Sequence, residues 1–204
     1  MKISDEVSAT PRPGLGVYRA SMGTAAYEFI PVPFVDEYMI NRQRRAMVRE
    51  ILKERGISHD GEVPDILIGG GKTLVSRLGS LSRGLVTKPL KKVFRSVFFW
   101  LSARSAARTA MVTYFLARFL HHPRLTGQGS GDMLTEERAK FLRQTFQEIS
   151  KGLDIRAAKG AFRQLAKLLF RSRKASGKEV SETIESEAPG FIAEFDAMLD
   201  ERLR

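Results

Sequence analysis

Apolar residues recur every three or four positions along most of this 204-residue chain, a period that predicts an all-α fold built as a compact multi-helix bundle. Two further observations point the same way. No segment alternates apolar and polar residues over the length of a strand, and proline and glycine gather between the periodic stretches. The length suits one domain with tails and is enough to bury a real core. The division expected is a flexible arm over residues 1–14, a helical domain over 15–172, a linker over 173–188 and an amphipathic C-terminal helix over 189–204.

Residues 15–30, LGVYRASMGTAAYEFI, read as a helix whose Gly16, Ala20 and Thr24 form a small-residue stripe that admits a close neighbour. Pro31 and Pro33 end it, because proline lacks the amide donor and crowds the preceding turn. Asp36 opens a second helix that runs to about Arg55, where Gly56 supplies a left-handed stop. Its apolar side is Val35, Met39, Ile40, Met47 and Ile51, with Arg42, Arg44, Arg45 and Arg49 placed elsewhere. Residues 57–64 are polar and turn-rich, and residues 72–85 are moderately helical but weakened by Gly79 and Gly84.

Pro89 suits the first turn of the next helix, in which Val93, Phe94, Val97, Phe98 and Leu101 share a side. Continued unbroken, that helix would bring Arg104 and Arg108 onto the face of Phe94 and Val97, so a break near Ser102 is expected. Ala103, Ala106, Ala107, Ala110, Tyr114 and Ala117 then make a face for tight packing, until His121, His122 and Pro123 end it. Thr135 or Asp132 caps a helix that starts at Glu136 and uses Phe141, Leu142, Phe146 and Ile149 as core contacts. Asp154 opens another, with Ile155, Ala158, Phe162, Leu165 and Leu169 in register, before RSRKASGKE becomes a linker. Phe191, Ile192, Phe195, Met198 and Leu199 stripe the last helix, inside a tail whose residues 179–201 hold eight acids and no Lys or Arg.

The formal net charge is +11, and its location matters more than its size. Residues 66–131 contain no Asp or Glu but hold Lys72, Arg77, Arg83, Lys88, Lys91, Lys92, Arg95, Arg104, Arg108, Arg118 and Arg124. Such a window directs a positive field at an anionic partner, unless acids from the ends of the chain fold over and cancel it. The same logic allows the acidic tail to mask the window.

Several chemistries are excluded. The chain has no cysteine, hence no disulfide framework, thiolate metal site or cysteine nucleophile. DILIGGGKT, residues 65–73, ends like a phosphate-binding loop, but Ile66 occupies the position of the first required glycine and no strand is visible before it. A glycine-rich bend between two helices is expected there. His59 stands in a polar loop, and the adjacent His121 and His122 point in different directions, as a helix end with imidazole near the negative end of its dipole. No serine lies in a nucleophile motif. The reading is therefore a non-enzymatic protein without catalytic residues, cofactor or metal.

Two partners compete for the basic window: an anionic membrane lipid surface and nucleic acid. Phe94, Phe98, Phe99 and Trp100 sit beside Lys91, Lys92 and Arg95 in the pattern of an interfacial helix, which favours lipid. Rings at helical spacing equally suit a core. The anionic-surface residues expected are Lys88, Lys91, Lys92, Arg95, Phe98, Trp100, Arg104, Arg108 and Arg118. A third possibility is an adaptor that docks on a protein partner through residues 189–203. The N-terminus lacks the apolar stretch of a signal peptide and no run is long enough to span a bilayer, which suggests a cytoplasmic protein, peripheral at the inner membrane face.

Residues 25–56, AAYEFIPVPFVDEYMINRQRRAMVREILKERG, resemble the YcjF-like and EcsC-like helical families of bacterial membrane-associated proteins. The positions that carry the resemblance are Ala25, Ala26, Ile30, Pro31, Pro33, Asp36, Gln43, Met47, Val48 and Gly56. The resemblance implies an all-helical fold, a poorly defined activity and a place beside a membrane. The transmembrane segments or attached GTPase of many such chains are not visible here.

Overall fold

The computed structural model describes residues 35–69, 94–126, 133–171 and 175–203, which form an all-α bundle. The helices expected over residues 15–30 and 72–85, and the arm over 1–14, lie outside the described residues. Helix α1, Val35–Glu54, ends where the amide of Ile57 bonds the carbonyl of Leu52 at 2.9 Å and that of Gly56 bonds Lys53 at 3.0 Å. Gly56 has φ +66°, so this is a Schellman stop, and the left-handed glycine expected from the sequence is there. Residues Ser58–His59, strand β1, pair in parallel with Met133–Leu134, strand β2, and tie the two loops together. Between them helix α2, Val63–Ile68, carries Pro64 in its first turn and buries Val63, Pro64 and Leu67.

Helix α3, Phe94–His121, is the axis of the molecule, 28 residues long and thus about 42 Å. Its side chains are described from Ala106 onward, and from Thr109 to Ala117 every one is buried. No break occurs near Ser102, contrary to the sequence expectation. That expectation rests on a helix with one apolar and one polar face, whereas the second half of α3 is enclosed on all sides and has no polar face to protect. Arg108 is accommodated half-buried, and Ala106, Ala107, Ala110 and Ala117 let neighbours approach closely.

Helix α4, Glu136–Gly152, is capped by Thr135, whose hydroxyl accepts from the Arg138 amide at 3.3 Å, with Glu136 and Glu137 in the first turn. Leu142, Phe146 and Ile149 are buried as expected, but Phe141 is 49% exposed. It lies about 100° around the helix from Leu142, and the Arg138 guanidinium covers its ring at 5.0 Å. Asp154 caps a 3-10 turn, Ile155–Ala158, that leads into α5, Lys159–Arg171, with Phe162, Leu165 and Leu169 inward.

Residues 177–187, expected within a linker, form helix α6, Gly177–Glu187. Its start is a capping box: the Ser176 hydroxyl accepts from the Glu179 amide at 3.2 Å, and the Ser176 amide donates to the Glu179 carboxylate at 2.6 Å. Helix α7, Pro189–Arg202, follows after Ala188. Val180 and Ile184 of α6 and Phe191, Phe195 and Leu199 of α7 are all buried. The C-terminal pair thus belongs to the same core as α3, α4 and α5. Phe115 sits at its centre, with ring centroids 5.3 Å from Tyr114 and 5.0 Å from both Phe191 and Phe195. Phe119 and Phe146 extend the cluster at 5.1 Å.

Candidate anionic-surface segment

The acid-free window begins in α2, crosses residues outside the description, and ends beyond α3. Of the nine residues expected to meet an anionic surface, Lys88, Lys91 and Lys92 lie outside the described residues. Arg95, Phe98, Trp100 and Arg104 occupy the first half of α3 by backbone position. Arg108 is half-buried and Arg118 is drawn into the protein. The window is therefore not one uniform basic surface: its residues from Thr109 to Ala117 are core.

Arg118 shows why. Its Nε donates to Asp196 Oδ1 of α7 at 2.7 Å, and a second guanidinium nitrogen meets the other carboxylate oxygen, a fork-on-fork pair with side-chain exposures of 13% and 22%. Burial lowers the guanidinium pKa, but the hydrogen bond and charge of Asp196, with Tyr114 adding to them, together hold it above the ordinary arginine value. One turn earlier, the Tyr114 hydroxyl donates to Glu185 of α6 at 3.2 Å. Burial is the main reason its pKa is raised, with the Glu185 carboxylate adding to the rise and Arg118 opposing it. Two acids of the tail are thus committed to α3. Among the described residues, acids from the chain's end meet the window along this seam.

The C-terminal end of α3 is a second polar cluster. Arg55, just past α1, donates from one guanidinium nitrogen to the carbonyls of Leu120 at 2.7 Å and His122 at 3.0 Å. A cation on exposed carbonyls is the charge complement of a helix end. The sequence reading gave that role to the histidines, and the arginine takes it. His121 instead has its pKa lowered by burial and then by the nearby charge of Arg55, so its neutral form is favoured. His122 is buried, with Nε2 3.5 Å from Asp200 Oδ1.

Arg44 is a further departure. It is 6% exposed, with Nε donating to the Thr113 hydroxyl at 3.0 Å and another nitrogen to the Thr109 carbonyl at 3.3 Å. Its place follows from spacing, since Ile40, Arg44, Met47, Val48 and Ile51 share one face of α1. The type of the residue concealed it: an arginine reads as solvent-facing. Arg45, on the flank, pairs with Asp65 of α2 with a 2.8 Å bond from Nε.

Asp65 to Ile68, the residues ahead of the triple glycine, belong to helix α2. The strand that a phosphate loop requires is absent at that point, and Gly70 to Thr73 lie outside the described residues. Among the described residues no three His, Asp or Glu side chains gather to hold a metal ion. Nor is any described helix long and apolar enough to cross a membrane. The stripe of α7 that would serve a docked partner, Phe191, Phe195 and Leu199, faces inward against α3 and α4.

Searched against family models, curated proteins and solved structures, the chain matches none. The resemblance over residues 25–56 thus rests on the sequence pattern alone. Pro31 and Pro33 lie outside the described residues, Asp36 is in the first turn of α1, Gln43 is half-buried, Met47 is buried, and Gly56 is the left-handed stop.

Proposed function

We propose that this protein is a non-enzymatic helical module that binds an anionic lipid surface, and that the contact lies in the first part of the acid-free window. The observation that carries this reading is the split of the window. Arg118 is used internally, paired to Asp196, and from Thr109 to Ala117 α3 is core. The cations upstream, Lys88, Lys91, Lys92, Arg95 and Arg104, have no acid near them in sequence, and Phe98 and Trp100 lie among them. Basic residues interleaved with large rings are the composition of an interfacial contact, in which each cation near anionic headgroups contributes roughly 1 kcal/mol. The acids that could mask this segment from the tail are partly engaged elsewhere, Asp196 and Glu185 on α3 and Glu179 in its own cap.

Vesicle flotation of the full chain tests the reading. Recovery with phosphatidylcholine vesicles containing phosphatidylglycerol, its absence with phosphatidylcholine alone, and loss on combining Lys88→Gln, Lys91→Gln and Lys92→Gln are expected. Equal recovery with both vesicles, or none, removes the proposal. Tighter, salt-sensitive retention of a DNA or RNA duplex by the same cations replaces it with a nucleic-acid module.

A further inference from the structure

A second basic surface stands on an element the charge count overlooks. Residues 155–178 also contain no Asp or Glu. Within them α5 carries Lys159, Arg163, Lys167 and Arg171, each four residues from the last. At 100° per residue these positions fall within about 120° of arc, and they extend along about 18 Å of helix axis. All four are exposed, while Ala161, Phe162, Leu165, Ala166 and Leu169 turn the opposite face into the core. Among the described residues none of the four makes an ion pair or a side-chain hydrogen bond. Glu187 approaches Gly160 at one end of the row but pairs with none of them. Phe170, 46% exposed, lies inside the same arc, between the angular positions of Lys159 and Arg163.

From this row we infer that the outer face of α5 is a second contact with an anionic bilayer, with the helix lying along the headgroups. Four like charges held one turn apart repel one another and gain nothing within the fold, so a complementary array of anions outside is what they fit. A bilayer answers two features together. Its plane suits cations on long side chains that wind through about a third of a turn along a core-packed helix, and its interface takes up the exposed part of the Phe170 ring. The inference shares its partner with the function proposed above, and so rests on that reading, but not its residues.

The test compares three full-length proteins on the same phosphatidylglycerol-containing vesicles: the wild type, the variant with Lys159→Gln, Arg163→Gln, Lys167→Gln and Arg171→Gln, and the Lys88, Lys91 and Lys92 glutamine variant. The row variant is expected to keep the wild-type thermal transition and to lose affinity by roughly fivefold for each cation removed. Arg163→Lys with Arg171→Lys should retain binding, because the charge is kept. Phe170→Ala should weaken binding to these vesicles as well. Undiminished affinity in the row variant, with loss in the Lys88, Lys91 and Lys92 variant, overturns this inference and leaves the proposed function standing. The reverse pattern overturns the proposed site and supports the row. A row variant that loses duplex DNA more strongly than vesicles overturns the bilayer assignment.

Discussion

Arg118 and Arg163 stand on helices that pack against each other, each in a stretch without acids, yet the fold treats them in opposite ways. Arg118 is enclosed, forked onto Asp196 from 78 residues away, while Arg163 is exposed in a row of unpaired cations. The difference is set by the apolar residues around them. The second half of α3 has alanines and aromatics on every side and becomes the axis of the bundle. Helix α5 confines its apolar residues to one face and leaves a clean polar arc. Charge counted along a chain locates a field, and the period of the apolar residues decides whether that field faces water.

The severest way to break the comparison is to remove the elements that enclose α3. Deleting residues 176–204 strips Phe115 of Phe191 and Phe195 and leaves Tyr114 and Arg118 without their acids. If α6 and α7 were a detachable tail, the truncated chain would still melt cooperatively and bind anions more tightly. The structure predicts instead that the sharp transition is lost in calorimetry. Phe115→Ala asks the same question at one residue. At 0% exposure and among three rings, its loss should cost about 3–5 kcal/mol in urea unfolding. A cost below 1 kcal/mol would mean that this half of α3 is not the core.

One substitution made on both sides sharpens the contrast. Arg118→Gln leaves the Asp196 carboxylate without its cation in a site where it is only 22% exposed, and should cost roughly 2–3 kcal/mol, less than a fully buried pair would. Arg163→Gln should change stability by no more than about 0.5 kcal/mol. Equal effects at the two sites would erase the distinction between an internal and a displayed arginine. Next in size is Ser176→Ala, which removes the capping box of α6 and should lower the unfolding midpoint by the equivalent of about 1 kcal/mol. No change would show that burial of Val180 and Ile184 alone holds that helix.

Much of the bundle was legible because burial follows period. The stripe Ala158, Phe162, Leu165 and Leu169, the stop at Gly56 and the cap at Thr135 are each local signals, and each appears where the sequence places it. Helix α6 was legible too, since Ser176 and Glu179 have capping-box spacing, but a run of Arg, Lys, Ser and Gly just before it resembles a linker more than a helix start. Arg118–Asp196 and Arg55 on the Leu120 carbonyl were not legible, because partners 65 to 78 residues apart are brought together only by tertiary packing. The candidate site divides the same way. Its cations could be named from the sequence, but not the removal of Arg118 from the surface, and the row on α5 adds no net excess that stands out beside the longer acid-free stretch until the helix shows it on one face.

The smallest effect tests the polar corner at the end of α3. His121 is half-buried close to Arg55, and both burial and that charge lower its pKa from the ordinary value of 6.5. The unfolded chain therefore binds a proton at a pH where the folded protein does not. Stability from this residue is present above 6.5 and is lost as pH falls from there through the folded-state pKa. Urea unfolding on the two sides of that value should show lower stability on the acid side. His121→Gln should flatten that part of the profile, because a side chain that does not titrate removes the linkage while other groups still contribute. A wild-type profile that matches the variant throughout would mean that the ring reaches water as freely in the folded protein as in the unfolded chain. In that case the enclosure of α3 ends before its last turn, and the boundary between its internal and displayed charges lies nearer to Arg118.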